Sequence, residues 1–119
     1  MKIINSIANP LIKEIAKLEH RSERIARGMF VAEGLRTCTT MLKSNRFELV
    51  HLLIQKGNLA AAQSLAQGRE DQTTIVSDVV MNKLSIASTP SGFICVFKIP
   101  KKNSLNGVCG PGFILYQLQ

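Results

Sequence analysis

Arg21-Ser22-Glu23-Arg24-Ile25-Ala26-Arg27-Gly28-Met29-Phe30-Val31-Ala32-Glu33-Gly34 changes physical character twice within a short stretch. Arginines at 21, 24 and 27 form a polar connector, in part helical, that stops at Gly28. Glycine closes a helix readily because it accepts a left-handed backbone. Met29 to Ala32 is then short, apolar and ungapped, as a strand buried on both faces would be. Gly34 permits the turn from that strand into a following helix. A strand held between two helices is the unit of an α/β fold.

The same alternation extends in both directions. Asn9 and Pro10 open a first helix, since Asn caps an N-terminus and Pro needs no hydrogen-bonded N–H at the first helical position. Leu11, Ile12, Ile15 and Leu18 give it one apolar face. Leu35, Cys38, Met41 and Leu42 stripe a second helix that Asn45 ends. Leu49 to Ile54 is the strongest strand, bounded by Gly57-Asn58, and Leu59 to Ala66 is an alanine-rich helix closed by Gly68. Thr73 to Val76 is a third strand, and Ser77 caps a helix in which Val80, Met81, Leu84 and Ala87 share a face. Thr89-Pro90-Ser91-Gly92 is turn chemistry, and Phe93 to Ile99 is a fourth strand. The order α-β-α-β-α-β-α-β implies a mainly parallel four-stranded sheet with helices on both faces.

With 119 residues, 45% hydrophobic and 19% charged, the chain is one soluble globular domain with a modest core. No apolar run approaches the ~20 residues that span a bilayer, and the N-terminus lacks a signal-peptide pattern, so a cytoplasmic protein with no membrane partner is expected. Cys38, Cys95 and Cys109 are odd in number and widely spaced, which argues against both disulfide and zinc readings. The net charge of +7 and pI of about 9.7 favour a polyanionic partner, nucleic acid first. Ten of the fifteen basic residues lie within residues 1–56, interleaved with Glu14, Glu19 and Glu23.

Ile4-Asn5-Ser6, Asn9-Pro10-Leu11-Ile12-Lys13, Arg21, Gly28, and Phe30-Val31-Ala32-Glu33-Gly34 occur in that order. Val79-Val80-Met81-Asn82-Lys83-Leu84-Ser85 and Thr89-Pro90-Ser91-Gly92-Phe93 follow. The ordered set resembles the N-terminal substrate-binding domain of SpoU/TrmH-type RNA 2′-O-ribose methyltransferases. That resemblance implies a three-layer α/β/α sandwich similar to ribosomal RNA-binding proteins, with rRNA or tRNA as partner. It also implies an S-adenosylmethionine-dependent parent enzyme that dimerises mainly through a knotted catalytic domain. On this reading residues 1–102 recognise RNA, 103–112 are a linker, and 113–119 begin the catalytic domain. The chain alone is then expected to carry no catalytic or cofactor-binding residue and to be inactive in methyl transfer.

Arg21, Arg24 and Arg27 are the leading RNA-binding candidates, with Arg36 and Lys13 second. Guanidinium groups pair with phosphates in a bidentate fork and stack on unpaired bases. The competing reading of the arginines is a solvated helix end paired with Glu19 and Glu23. Glu33 is expected to anchor the neighbouring arginines and His51 to be a core histidine, neither of them a catalytic group. Gly107-x-x-Gly110-x-Gly112 lacks the strand and helix of a dinucleotide loop. One tyrosine and no tryptophan leave no extended stacking platform. Two other classes fit the composition: a stand-alone RNA-binding protein of the ribosomal type, and an α/β interaction domain with no nucleic-acid role.

Overall fold

A computed structural model of the chain describes residues 2–86 and 90–100. The expected linker, the strand from Phe113, Cys109, and the calls on Ala87 and Thr89 lie outside the described residues.

Among the described residues, five strands form one sheet in the order β1-β4-β3-β5-β2. They are β1 (Lys2–Ile4), β2 (Met29–Glu33), β3 (Leu49–Gln55), β4 (Thr73–Val76) and β5 (Phe93–Lys98). The helices are α1 (Pro10–Ala16), α2 (Arg21–Arg27), α3 (Leu35–Ser44), α4 (Leu59–Ala66) and α5 (Asp78–Leu84), with short 3-10 turns at Lys17–Glu19 and Glu70–Gln72. The α/β class and the helix-strand alternation follow the sequence.

The sheet corrects the expected four-stranded, mainly parallel arrangement. β1 pairs with β4, and β4 with β3, in parallel, whereas β5 is antiparallel to both β3 and β2. Four strands therefore run one way and β5 is inserted among them running back. β5 follows the short α5. The seven residues of that helix advance only about 10 Å along the helix axis. The carboxylate of Glu33, at the end of β2, then holds the next two residues at that rim, accepting from the Ser85 hydroxyl and, at 3.0 Å, from Ile86 N. The chain is kept near the C-terminal ends of the other strands and enters β5 from there.

β1 escaped the sequence reading because three residues give no usable periodicity. Ile4 alone is buried there, and the pairing of Ile4 with Val76 spans most of the chain.

The sheet separates two cores, as alternation of side chains across a strand requires. Leu53, Ile94 and Val96 meet Ile12, Ile15 and Leu18 from the α1 side and Val80, Met81 and Leu84 from α5. Leu52, Ile54, Cys95 and Phe97 meet Cys38, Met41 and Leu42 from α3 and Ala62 and Leu65 from α4. Phe30, Phe47 and Phe97 cluster at the second face, with ring centroids 5.3 to 6.1 Å apart. Cys38 and Cys95 are buried free thiols, as expected. A hydrogen bond with Cys38, together with burial, raises the Cys95 thiol pKa and keeps it protonated.

His51 lies half-buried in β3 opposite Val96. Burial lowers its pKa, with Glu14 acting against that shift and Lys2 adding to it. The folded protein thus prefers neutral His51, while the unfolded chain takes up its proton near pH 6.5. Stability should fall as pH drops below about 6.5 and level off below the depressed folded pKa. Urea unfolding across this range should show that slope, and His51→Gln should flatten it.

Candidate nucleic-acid interface

Arginines three residues apart on an α-helix are rotated by about 60° from one another, because each residue turns about 100°. Arg21 and Arg27 are therefore about 120° apart around α2, and the three arginines meet three different environments. Arg21 is exposed at the helix start. Arg24 turns inward, 9% exposed, and its Nη1 donates to the carbonyl oxygens of Leu18 and Glu19, both at 2.8 Å. Arg27 reaches sideways, its Nη1 3.2 Å from Glu14 and its Nε 3.0 Å from Glu23. Gly28 closes the helix in the left-handed conformation, φ 66°.

The inward turn of Arg24 follows from what α2 lacks. No α2 residue belongs to either hydrophobic core, and Ile25 is 64% exposed. The helix is held by polar contacts at its inner side, where the last carbonyls of the preceding 3-10 turn face it. Burial first, and neighbouring Arg21 second, lower the Arg24 pKa. It remains charged, since arginine is protonated throughout the accessible range. A signal for this role was present in the sequence: α2 has a single apolar residue longer than alanine, so a polar side chain had to make the docking contact.

Glu33 does not steady the arginines as expected. Its carboxylate accepts from Ser85 and Ile86 and ties the end of α5 to β2. Arg24, Glu33, Lys83 and Ser85 border one cleft of about 70 Å3. That is room for about two waters, at about 30 Å3 each, and not for a nucleotide. It is a seam joining α2, β2 and α5.

Lys13 is exposed on α1, so the structure gathers Lys13, Arg21, Arg24 and Arg27 on one face of the sheet. Arg36 is separated from them. It is exposed in the first turn of α3, on the opposite face. Glu14 and Glu23 are drawn to Arg27, while Lys13, Lys17 and Arg21 are exposed beside them, and Lys83 is exposed across the seam. Lys17 and Lys83 were not among the expected RNA-binding residues. A surface of this kind can neutralise successive phosphates without reading bases, because exposed cations supply charge more than direction.

A larger concavity lies on the other face, between α3 and α4, with a volume of about 360 Å3. Among the described residues no group of His, Cys, Asp and Glu is placed to hold a metal ion. No helix among them is long and apolar enough to cross a membrane.

Residues 9–95 match the family model of the MRM3-like substrate binding domain. No curated protein sequence matches the chain. Among solved structures, an RNA 2′-O ribose methyltransferase is 32% identical with a TM-score of 0.71, over 84% of this chain and 38% of that one. An rRNA methyltransferase from Sinorhizobium meliloti shares the fold at 20% identity and a TM-score of 0.69, over 85% of this chain and 38% of that one. The SpoU methyltransferase AviRb from Streptomyces viridochromogenes, in complex with the cofactor AdoMet, does so at 15% identity and 0.62, over 82% and 36%. The chain thus spans less than two-fifths of the length of each of these structures.

Proposed function

We propose, from the fact that this chain belongs to the MRM3-like substrate-binding domain family, that it delivers RNA to the active site of a larger RNA 2′-O-ribose methyltransferase. The observation that carries this reading is the exposed basic surface of α1 and α2 on a chain matching a methyltransferase at 32% identity over 38% of that protein's length. The match to a substrate-binding domain family and to a methyltransferase favours this over a stand-alone RNA-binding protein. On the same reading the domain ends near residue 102, and methyl transfer, AdoMet binding and homodimerisation belong to the rest of the parent protein.

AdoMet suits neither of the two clefts described above among the described residues. The seam beside Arg24, about 70 Å3, is far below the roughly 300 Å3 at which small-ligand sites begin. The α3–α4 groove sets Lys43 and Arg69 where a sulfonium cation would meet like charge.

Within the basic surface the roles divide by exposure. Lys13 and Arg21 meet phosphates directly, and Arg27 does so at the expense of its contacts with Glu14 and Glu23; Arg36, on the opposite face, lies outside this surface. Arg24 orients α2 from within. Titration of this chain with structured rRNA or tRNA over a range of salt concentrations tests the assignment. Arg21→Ala should weaken binding and reduce the log–log salt slope by about 0.7–0.9, the value of one phosphate contact. Equal affinity and slope in wild type, Arg21→Ala and Lys13→Ala would place the RNA elsewhere. Failure to bind any RNA would favour a protein-interaction domain.

A further inference from the structure

The groove between α3 and α4 lies on the face of the sheet opposite the arginine helix. Its chemistry is graded along its length. Leu42 and Leu65 form an apolar floor, and Thr39 and Ser64 add a hydroxyl from each helix. Lys43 stands in the last turn of α3, and Arg69 follows the end of α4. The two helices start from the ends of β2 and β3, which run the same way, so both cations come to the same end of the groove.

The Arg69 guanidinium is held there by Nη1 donating to Leu65 O at 2.7 Å. The Thr39 hydroxyl donates to Leu35 O at 2.7 Å, which leaves its oxygen as an acceptor. None of the described residues lining the groove is acidic. The nearest carboxylate in sequence, Glu70, accepts from Gly68 N at 3.2 Å.

We infer that this groove binds one unpaired nucleotide of the RNA, with the base and ribose on Leu42 and Leu65 and the phosphate between Lys43 and Arg69. The inference rests on the RNA-binding reading and extends it to a second face of the domain. The volume of about 360 Å3 lies at the small end of the roughly 300–1,000 Å3 typical of small-ligand sites. That suits a single nucleotide, whereas a duplex would span beyond it. The charge gradient fixes the polarity: an anionic end at the cations, an uncharged ring over the leucines. RNA presents this combination wherever a base is splayed out of its stack.

Isotope-labelled protein titrated with a short single-stranded oligoribonucleotide provides the test. The amide resonances of Thr39, Lys43, Ser64 and Leu65 should shift in a saturable way. Lys43→Ala, an exposed change that should leave the unfolding midpoint in place, should lower the log–log salt slope by about 0.7, the single-strand value for one contact. Shifts confined to α1 and α2 would overturn the groove assignment and leave the RNA reading standing. Equal shifts with a glutamate-rich peptide would make the groove a peptide-docking site and also overturn it. Absence of binding to both the oligonucleotide and structured RNA would remove both readings together.

Discussion

Arg24→Ala should destabilise the domain by about 2–4 kcal/mol, because it leaves two inward-facing carbonyl oxygens without their charged donor. Leu18 and Glu19 each lose a 2.8 Å hydrogen bond from Nη1 at a site only 9% exposed. A hydrogen bond to a charged group contributes about 1.5–3 kcal/mol, and the two are not additive because they share one nitrogen. The loss should be local before it is global. α2 places nothing in either core, so amide hydrogen exchange over residues 21–27 should rise more than over β3 or β5. Arg24→Lys should recover less than half of the loss, since an ammonium on a flexible stem replaces a planar, pre-organised fork.

The same variant separates positioning from contact. If Arg24 only orients α2, its removal lowers RNA affinity while the salt slope keeps its wild-type value. A slope reduced by about 0.7–0.9, as expected for Arg21→Ala, would instead make Arg24 a direct phosphate ligand. The measurement therefore reads something a loss of stability alone would not move.

Phe97→Ala should have the largest effect of any single truncation, about 3–5 kcal/mol, as for other fully buried aromatic residues. Phe97 is 0% exposed on β5, the strand that both β2 and β3 pair with. Its ring lies 5.7 Å from that of Phe30 and 6.1 Å from that of Phe47. Truncation opens a cavity in a cluster with few ways to collapse, since Phe30 is fixed in the paired strand β2. Against a total stability of roughly 5–15 kcal/mol for an ordinary domain, much of the fold's margin would disappear. The midpoint of urea unfolding should drop sharply at an unchanged m-value. A shift of less than about 1 kcal/mol would mean that Phe30 and Phe47 close over the space.

The two predictions differ in how visible their residues were in the sequence. Phe97 could be read directly: Phe93, Cys95, Phe97 and Ile99 alternate with Ile94, Val96 and Lys98, and alternation specifies two faces of a strand. The helices α3 and α5 were equally legible, because apolar spacing and caps such as Ser77 and Asn45 act within a few residues of each other. Ser77 does accept from Val80 N at 3.3 Å, and Asn45 does end α3 in a left-handed conformation, φ 55°. Arg24 was hidden in a pattern that suggested three equivalent arginines. A spacing of three says only that side chains are neighbours on a helix, not which of them faces solvent.

The sequence alone, then, determined the α/β class, the position of nearly every helix and strand, and the location of the positive charge in the first half of the chain. These properties arise from short-range patterning and composition, and they survive in any plausible packing of the elements. Only the tertiary structure decided the order and direction of the strands. Just ahead of the reversed β5, Glu33 accepts hydrogen bonds from residues 85–86, a long-range contact that no local pattern encodes. It also decided the fate of the stretch from Arg21 to Gly34. That segment presents Arg21, pairs Arg27 with Glu14 and Glu23, and buries Arg24, because a helix with no apolar face can dock only through a polar side chain.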